Sequence, residues 1–592
     1  MVSQVDKDVN ETITIGLHIK RGTHENGMSL KEYADAVMSG THPVLGHDDF
    51  VYHFGAEDSD IETLVNWVDA NQLTIDEATK STANFKLSGT VGKFNQLFNI
   101  KLQDVTDDTR NYIKPDKDIT IPTEITDIVD IVLGLDTSHD FIKSSVTATP
   151  ILPEYDTGGP TTATPAQLAT AYKVPPGNGY GMNIAIAAIT PQGSVNMGWI
   201  QSDVDRTFSR VGLASPTIVT VSVNGATAST NATEMNGDDA ESILDIYCIG
   251  GICPKAKIIY YIVDQSSNPV QAVIDLFNAV LNDTTNNPSV FSVSYGIGIS
   301  TDNFLDTILQ SFVVKGITVF TAAGDTGTIY CGVYVGCVSP YQISVGGTIA
   351  TLNTDNSIAS EVYWRIGDGV LDYDPNSLAG GGGITAYYPP ELGIYNTVLG
   401  LVPTPSWQTG CYYTRISAIS IQGYPVLDGP YPIGSSPNAP YQNGRGIPDI
   451  SAMAVGYGVY IRNSGYRVQG TSASCPIVAS IWARLGSLLG YSFPFNMSLL
   501  YSNQATWFND ITDGNSMFQN DQYGPRLKLA TLWELMATSG WDPITGLGTP
   551  KADQWYEYYH KGSTFPKNNY GFRKASTATY PRISSVAGSQ RS

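Results

Sequence analysis

Apolar residues follow two different spacings in the first part of the chain. Between Ile13 and Ile19 they occupy every second position, which predicts a strand with one buried face. Other segments show helical spacing or short apolar runs. They predict helices at 30–37, 61–70 and 91–98, and strands at 85–89 and 100–105. This mixture predicts a separate α+β domain over residues 1–142.

A regular alternation of strands and helices begins after residue 183. Short apolar runs predict strands at 184–188, 258–263, 290–294 and 317–322, and longer segments predict helices at 238–249, 270–281 and 302–314. This order is typical of a mostly parallel sheet with helices on both faces. In such sheets the active groups collect at the carboxyl ends of the strands. We expect this α/β domain to cover residues 166–560.

Two further segments differ in composition from these domains. Residues 143–165 are rich in Thr, Pro and Gly, which predicts an exposed linker where a cut would be tolerated. Residues 561–592 contain Lys and Arg but no acidic residue, and we expect this tail to be disordered.

The charge balance limits the possible partners. There are 55 acidic and 33 basic residues, giving a net charge of −22, which argues against nucleic acid or an anionic membrane as partner. The acidity is explained either by solubility or by adaptation to acid, where few Lys and Arg limit positive self-repulsion. No run of 18 apolar residues exists, so no membrane span is expected. The first residues lack the apolar core of a signal peptide.

Six cysteines leave two interpretations open. The pairs Cys248 with Cys253 and Cys331 with Cys337 are close enough in sequence to form small disulfide loops in an oxidising compartment. Buried free thiols are the alternative. Neither spacing is that of a usual zinc pair.

The chemistry can be arranged around Ser472. Residues 469–476 combine a glycine turn, hydroxyl residues and a proline, and apolar residues at helical spacing follow. This pattern predicts a buried helix that begins close to Ser472. Its hydroxyl would then lie beside unpaired backbone N–H groups and the positive end of the helix dipole. That position suits a nucleophile whose product is an oxyanion, although an ordinary helix cap has the same residues.

The distribution of histidine restricts the possible base. None of the seven histidines lies between residues 140 and 559, so a Ser-His-Asp triad cannot be built within this span. If Ser472 is a nucleophile, its base must be a carboxylate or, as the rival hypothesis, a lysine. Lys255 and Lys257 are the candidates for the lysine, but no motif surrounds them.

Two acidic motifs supply candidate carboxyl groups. Glu241 and Asp245 are four residues apart, on one face of a predicted helix. Two carboxylates at this spacing repel each other, so one tends to keep a proton and its pKa rises. Asp325 follows a predicted strand and has glycines on both sides; when protonated, it could donate a hydrogen bond to an oxyanion. The alternatives are a solvated helix face and an Asx turn.

These motifs together resemble the sedolisin family of serine-carboxyl peptidases, which includes tripeptidyl-peptidase I and the kumamolisins. The resemblance is carried by Glu241 with Asp245 and by the segments 294–296 (Ser-Tyr-Gly), 323–327, 380–383 and 470–476. It implies a subtilisin-like fold, a Ser-Glu-Asp triad and activity at acid pH.

The same resemblance implies a role for each site residue. Ser472 would be the nucleophile and Glu241 its general base. Asp245 would orient Glu241 and share a proton with it, and Asp325 would stabilise the oxyanion. Tyr295 stands where some members carry tryptophan, which leaves the pH optimum open.

The resemblance extends over most of the chain. Residues 29–136 are similar to the family's propeptide, an α+β, ferredoxin-like domain that acts as chaperone and intramolecular inhibitor and is removed by self-cleavage. The activation cut is accordingly expected in the 143–165 linker. Residues 386–444 look like an insertion that alters the substrate cleft. A secreted or extracellular acidic location is also implied.

Calcium is the expected cofactor. Residues 509–515 and 538–546 are turn-forming and rich in carboxylates and exposed carbonyls, the oxygen ligands that calcium prefers. By resemblance, one ion is held by the side chains of Asp510 and Asp542 and by the carbonyl groups of Ile511, Thr538 and Gly540. Without the resemblance, plain polar loops would be the better interpretation.

The sequence thus predicts a peptidase that acts on polypeptides in acid and is made as a self-processing proenzyme. Two alternatives remain at this stage. One is a non-catalytic, calcium-stabilised surface or adhesion protein on the same fold, and the other is the Ser/Lys hydrolase. The sequence does not distinguish an endopeptidase from a tripeptidyl peptidase.

Overall fold

The computed structural model describes most of the chain. The described residues are 3–106, 111–137, 141–144, 147–150, 163–190, 198–228, 237–264, 269–298, 304–325, 327–328, 338–366, 378–385, 402–417, 427–432, 444–516 and 533–561. The pair Cys331 and Cys337, the predicted tail from 562 onwards, most of the linker and most of the 386–444 insertion lie outside them.

The N-terminal domain is built on a four-stranded antiparallel sheet. Its strands and helices are β1 (Ser3–Asp6), β2 (Thr12–Ile19), α1 (Leu30–Met38), α2 (His47–Phe54), α3 (Asp58–Ala70), β3 (Thr74–Thr79), β4 (Asn84–Thr90), α4 (Val91–Leu97), β5 (Leu102–Thr106), β6 (Asn111–Pro115) and β7 (Val129–Leu133). The sheet order β3-β4-β2-β7, with helices after β2 and β4, is that of a ferredoxin-like fold. Strands β1, β5 and β6 form a second small sheet.

The alternation in β2 predicts one buried face, and this is correct only for its first half. From Ile15 to Ile19 every residue is buried, including Gly16 and His18 between the apolar residues. A Cβ on Gly16 would lie 2.6 Å from the side-chain oxygen of Gln271, in the second domain. The second face of this sheet is therefore covered by the second domain.

The second domain contains the predicted parallel sheet. Its elements, preceded by β8 (Phe141–Ser144) and β9 (Thr147–Pro150), are α5 (Pro165–Ala171), β10 (Asn183–Thr190), α6 (Gln201–Arg210), β11 (Thr217–Ser222), α7 (Gly237–Ile252), β12 (Lys257–Asp264), α8 (Pro269–Asn282), β13 (Val290–Val293), β14 (Tyr295–Gly298), α9 (Phe304–Val314), β15 (Thr318–Ala322), β16 (Ile343–Leu352), β17 (Ile358–Tyr363), β18 (Arg365–Ile366), β19 (Leu378–Ala379), β20 (Gly383–Ile384), β21 (Tyr412–Ser417), β22 (Leu427–Pro432), β23 (Gly446–Ile447), β24 (Ile450–Met453), β25 (Tyr457–Ile461), β26 (Ser464–Gln469), α10 (Thr471–Leu489), α11 (Met497–Ser502), α12 (Gln504–Trp507), β27 (Phe508–Asn509), β28 (Trp533–Leu535), β29 (Thr549–Pro550) and α13 (Ala552–His560).

The main sheet has the order β11-β12-β10-β13-β15-β16-β17, with β24 also paired to β16. All its pairings are parallel except that of β17 with β16. The strands of its centre are buried along their length, because helices cover both faces. The α/β prediction is thus confirmed.

The segment predicted as a linker contains regular structure. Strand β8 pairs with β14, and β9 pairs with β26, so this part of the chain joins two small sheets of the second domain. Within the predicted linker, residues 143–144 and 147–150 therefore lie in paired strands. Backbone hydrogen bonds to a neighbouring strand need no particular side chains, so the Thr- and Pro-rich composition did not reveal them.

Helix α10 runs through the core of the second domain. Among the described helices it is the one that is long and apolar enough to cross a membrane. Most of its residues are buried against the rest of the domain, including Ile477, Ile481 and Trp482. Its apolar character is therefore that of a core helix.

Four cysteines are free thiols in the structure: Cys248, Cys253, Cys411 and Cys475. The small disulfide loop between Cys248 and Cys253 does not form. Both thiols are free and buried, with Cys248 inside helix α7 and Cys253 directly after it. The alternative of buried free thiols is the one observed for this pair.

Candidate active site

Ser472 is the second residue of helix α10 and is fully buried. The residue before the helix, Gly470, provides no side-chain cap. The side chain of the N-cap residue therefore accepts no hydrogen bond from the first backbone N–H groups of the helix. The hydroxyl of Ser472 thus lies at the positive end of a buried helix, as the sequence predicts.

The hydroxyl group of Ser472 contacts the carboxylate of Glu241. Ser472 Oγ donates to Glu241 Oε2 over 3.1 Å, and both side chains are completely buried. Glu241 lies on α7, which packs directly against α10. A carboxylate at this distance is within reach of the serine proton.

Asp245 lies one helical turn after Glu241 and is also buried. Its Oδ1 accepts a hydrogen bond from the hydroxyl of Ser294 over 2.9 Å. Burial raises the pKa of Asp245 well above the usual aspartate value, and the bond from Ser294 partly opposes this rise. Asp245 therefore holds a proton at a higher pH than an exposed aspartate.

Ser294 belongs to a segment that the sequence singled out, but the sequence reasoning gave this residue no role. Besides its bond to Asp245, its hydroxyl lies 3.5 Å from the carbonyl oxygen of Ser472, and its own carbonyl lies 3.4 Å from Ser472 Oγ. Pro476 explains the first contact, because it has no N–H to donate to the carbonyl four residues earlier. The signal in the sequence was a hydroxyl residue directly after a buried strand, in the Ser-Tyr-Gly segment.

Asp325 follows the end of β15 and approaches the same helix terminus. Its Oδ1 accepts from the backbone N–H and from the hydroxyl of Thr471, each over 2.8 Å. The Thr471 hydroxyl in turn accepts from the backbone N–H of Gly324 over 3.0 Å. Asp325 therefore caps the helix that carries Ser472, from a distant part of the sequence.

The turn that holds Asp325 is packed against the glycine run 380–383. The backbone N–H of Gly381 donates to the carbonyl of Gly324 over 2.6 Å, and a Cβ on Gly381 would overlap the carbonyl of Ala323. Gly324 has φ of 101°, a conformation that favours glycine. This close backbone contact explains why glycine is needed at both Gly324 and Gly381.

The structure thus brings together all four residues named from the sequence: Ser472, Glu241, Asp245 and Asp325. Of the two rival lysines, Lys257 lies away from this group. Lys257 begins β12, whereas Ser294 and Asp325 follow the opposite, carboxyl ends of β13 and β15, and the Lys257 ammonium group donates to Asn286 over 3.1 Å.

The two loops expected to hold calcium are neighbours in the structure. The N–H of Gly540 donates to Asp510 Oδ2 over 3.0 Å, and the N–H of Thr538 donates to Asp542 Oδ2 over 3.1 Å. Ile511, the fifth expected ligand, follows Asp510 directly. The sequence-predicted ligands are therefore close in space.

The chemistry of these groups fits a calcium ion. The proposed donors are carboxylate and carbonyl oxygens, which is the ligand type that calcium prefers. Within the described ranges, no cluster of three or more His, Cys, Asp or Glu side chains could hold a metal, so backbone carbonyls would have to complete the set. Burial raises the pKa of Asp542 to about 7, and a bound cation would stabilise its charged form.

The candidate calcium loop also contacts the glycine run 380–383, which packs against the turn that holds Asp325. The N–H of Gly383 donates to the carbonyl of Pro543, next to Asp542, over 2.8 Å. Two residues earlier in the same run, Gly381 bonds to Gly324. A continuous backbone contact therefore connects the two sites.

Models of two known protein families match the chain. The model of the subtilase family matches residues 223–524, which is more than half of the chain, and the model of the pro-kumamolisin activation domain matches residues 2–138. The chain belongs to the subtilase family of serine peptidases.

Individual relatives are similar over most of the chain. The chain is 28% identical to kumamolisin from Bacillus sp. (strain MN-32) over 575 residues, covering 92% of this chain and 91% of that protein. It is 24% identical to sedolisin from Pseudomonas sp. (strain 101) over 558 residues, covering 88% and 83%. A solved structure of Pseudomonas sedolisin complexed with two molecules of pseudo-iodotyrostatin is 23% identical, with a TM-score of 0.48; the match covers 68% of this chain and 100% of that one. The chain thus combines the domain of a subtilase-family serine peptidase with an activation domain of the pro-kumamolisin type.

Proposed function

We propose that this protein is an acid-acting serine-carboxyl peptidase that hydrolyses peptide bonds through an acyl-enzyme. Ser472 is its nucleophile and Glu241 its general base. Asp245 orients Glu241 and shares a proton with it, and Asp325 stabilises the oxyanion. The hydrogen bond from Ser472 Oγ to Glu241 Oε2, in a region without histidine, carries this proposal.

In the first step, Ser472 Oγ attacks the carbonyl carbon of the substrate and its proton passes to Glu241 Oε2. The carbonyl oxygen becomes negatively charged in the tetrahedral intermediate. Asp325 Oδ1 is already an acceptor for Thr471, so its other oxygen would carry the proton that it donates to this oxyanion.

The intermediate then collapses to the acyl-enzyme. The C–N bond breaks, and Glu241 returns its proton to the departing amine. Water next attacks the acyl carbon and gives a proton to Glu241, and Ser472 recovers its hydroxyl as the acid product leaves.

Acid is required because two of the carboxyl groups must hold a proton. Asp325 can donate to an oxyanion only when protonated, and the pair Glu241 and Asp245 must share one. The raised pKa of Asp245 favours this shared state over a wider pH range than exposed carboxylates would allow.

Processing of the full-length chain tests the proposal. Purified proenzyme and its Ser472→Ala variant are incubated at about pH 4, near the intrinsic pKa values of carboxyl groups. The wild type should lose its N-terminal domain, and the variant should stay whole. Ser474→Ala is the matched control, because Ser474 is buried in the same turn but donates to the carbonyl of Ala452. Equal processing of Ser472→Ala would show that Ser472 is not the nucleophile.

We also propose that one calcium ion binds Asp510 and Asp542 and the carbonyls of Ile511, Thr538 and Gly540. When bound, it would neutralise the buried Asp542 and rigidify the loop that contacts the glycine run.

Urea unfolding tests this calcium site. Calcium at 100 times its Kd should stabilise the Ser472→Ala proenzyme by about 2.7 kcal/mol. Asp510→Asn should lose this gain. Asp513→Asn, an exposed residue of the same loop, should keep it, and equal behaviour of both variants would contradict the assignment.

The N-terminal domain would act as an inhibitor of its own enzyme. The substrates of the processed enzyme would be polypeptides. A secreted or extracellular acidic location follows from the same proposal, because the chemistry requires acid.

A further inference from the structure

A tight hairpin turn lies against the first turn of the helix that carries Glu241. Strands β25 and β26 form this hairpin, and Arg462 and Asn463 are its two turn residues. Both have positive φ, 49° and 66°, as two-residue hairpin turns require. Strand β26 leads from the turn towards helix α10, and Ser472 comes three residues after the strand ends. The hairpin therefore joins the chain that leads to Ser472 with the region around α7.

A buried ion pair links the turn to α7. Arg462 Nε donates to Asp239 Oδ2 over 3.1 Å, and Arg462 Nη2 lies 3.0 Å from the same oxygen. The two side chains are only 6% and 3% exposed, so solvent and salt screen their charges little. The other carboxylate oxygen, Asp239 Oδ1, accepts from the backbone N–H of Gly198 over 2.9 Å. Both oxygens of this carboxylate are therefore held in place.

The backbone of the turn is fixed by helix α6. Asp203 accepts from the backbone N–H groups of Arg462 and Asn463, over 2.6 and 3.0 Å. Arg206 donates to the carbonyl of Asn463 over 3.0 Å and lies over the ring of Tyr460. The Arg462 side chain thus reaches α7 from a backbone position that α6 determines.

The ion pair contacts α7 next to the proposed base. Asp239 lies in the first turn of the helix, two residues before Glu241. The positive end of the helix dipole also favours a carboxylate at this position. Glu241 in turn accepts from Ser472 Oγ over 3.1 Å. Because a displacement of about 1 Å can slow a positioned reaction by about 100-fold, this contact is sensitive to where α7 begins.

We propose that Asp239 and Arg462 are positioning residues, which hold the first turn of α7 so that Glu241 stays within reach of the Ser472 proton. This inference rests on the function proposed above. The pair acts through the backbone of α7 and transfers no proton itself. A buried ion pair contributes little net stability compared with apolar side chains of similar volume. Its contribution here is the directed contact between the hairpin and the helix.

Urea unfolding of three variants in the Ser472→Ala background measures the effect on stability. Arg462→Met leaves the Asp239 carboxylate buried without its cation, and Asp239→Asn leaves the guanidinium without its anion. Each single variant should therefore unfold at a lower urea concentration than the parent. The double variant leaves neither charge unpaired, so most of this loss should be recovered.

Kinetics of the same changes with Ser472 intact measure positioning. The probe is acid-denatured haemoglobin, digested by the processed enzymes at about pH 4. In Arg462→Met, kcat should fall on the order of 100-fold with little change in KM, because the base is displaced while the substrate contacts remain. The double variant should keep this low kcat although its stability has recovered. Arg462→Lys keeps the charge without the planar fork and should regain part of the kcat.

Arg206→Met is the matched control. This exposed arginine binds the same turn from α6, and the two bonds to Asp203 still hold the turn without it. Its kcat should stay at the wild-type value. If kcat recovers together with stability in the double variant, or falls equally in Arg206→Met, the ion pair has only a structural role and the inference is wrong.

The outcomes separate this inference from the proposed function. If the wild type digests haemoglobin, Ser472→Ala does not, and Arg462→Met keeps the wild-type kcat, the peptidase stands and the inference fails. If the wild type cuts no protein at any pH, both fail. A double variant that unfolds at the wild-type urea concentration but never loses its N-terminal domain supports the inference, because processing uses the same Ser472 and Glu241.

Discussion

Two groups of buried carboxylates in this protein have different partners. One group lies around Ser472, and the other is Asp275, at the contact between the two domains. Glu241 and Asp245 accept hydrogen bonds from the hydroxyl groups of Ser472 and Ser294. Asp275 on α8 instead forms an ion pair of 2.6 Å with Lys86 of the N-terminal domain. The difference decides what each carboxylate can do.

A hydroxyl partner keeps a carboxylate able to exchange its proton, because no fixed positive charge holds it in the ionised form. A lysine partner opposes protonation and connects two parts of the chain. Around Asp275, Gln271 and Asn224 donate further hydrogen bonds, so the contact is well satisfied. The first arrangement suits catalysis and the second suits attachment of the N-terminal domain.

The largest effect is expected at Glu241. Glu241→Gln keeps the shape of the side chain but removes the base. Its activity on an acid-denatured protein substrate should fall by a factor on the order of 10⁴, as for other members of a catalytic unit. Glu557→Gln, a surface position, is the control. If Glu241→Gln keeps more than a tenth of the activity, the general base is another group. The carboxylates around Ser472 would then no longer differ in function from Asp275.

The second effect concerns Lys86. Lys86→Met leaves Asp275 buried without its cation and should cost about 3 kcal/mol, the usual loss when one partner of a buried pair is removed. Urea unfolding of the N-terminal domain, in the Ser472→Ala background, measures this loss. Lys101→Met is the control, because its ion pair with Asp6 is exposed and should contribute little.

The same variant has a defined pH dependence. Burial raises the pKa of Asp275 more than Lys86 lowers it. As the pH falls through this raised pKa, Asp275 becomes neutral and no longer needs a cation. The loss caused by Lys86→Met should therefore be largest near neutral pH and should shrink in acid. A loss that grows on acidification would contradict the role given to the ion pair.

The smallest effect is expected at Ser294. Ser294→Ala removes a buried hydrogen bond to the Asp245 carboxyl group. Such a bond is worth about 1.5 kcal/mol, so activity should fall about tenfold. Because this bond lowers the pKa of Asp245, its loss should also move the pH profile of activity towards higher pH. Ser292→Ala, a buried serine of the preceding strand that contacts Cys475, should leave the profile unchanged. An identical shift in both variants would mean that Ser294 has only a structural role.

The sequence by itself determined the elements and the identity of the site residues. Apolar spacing predicted strand β2, the parallel strands and helices α7 and α10, because the period of burial differs between strands and helices. The lack of histidine over residues 140–559 restricted the base to a carboxylate or a lysine. The fixed geometry of a helix was enough to pair Glu241 with Asp245.

Only the tertiary structure decided the contacts between segments far apart in the sequence. The bonds from Ser294 to Asp245, from Thr471 to Asp325 and from Lys86 to Asp275 each join parts of the chain separated by at least 49 residues. The pairing of β8 and β9 on the two sides of Ser472 is of the same kind. Local composition cannot reveal such contacts, because backbone pairing and side-chain hydrogen bonds depend on which segments the folded core brings together.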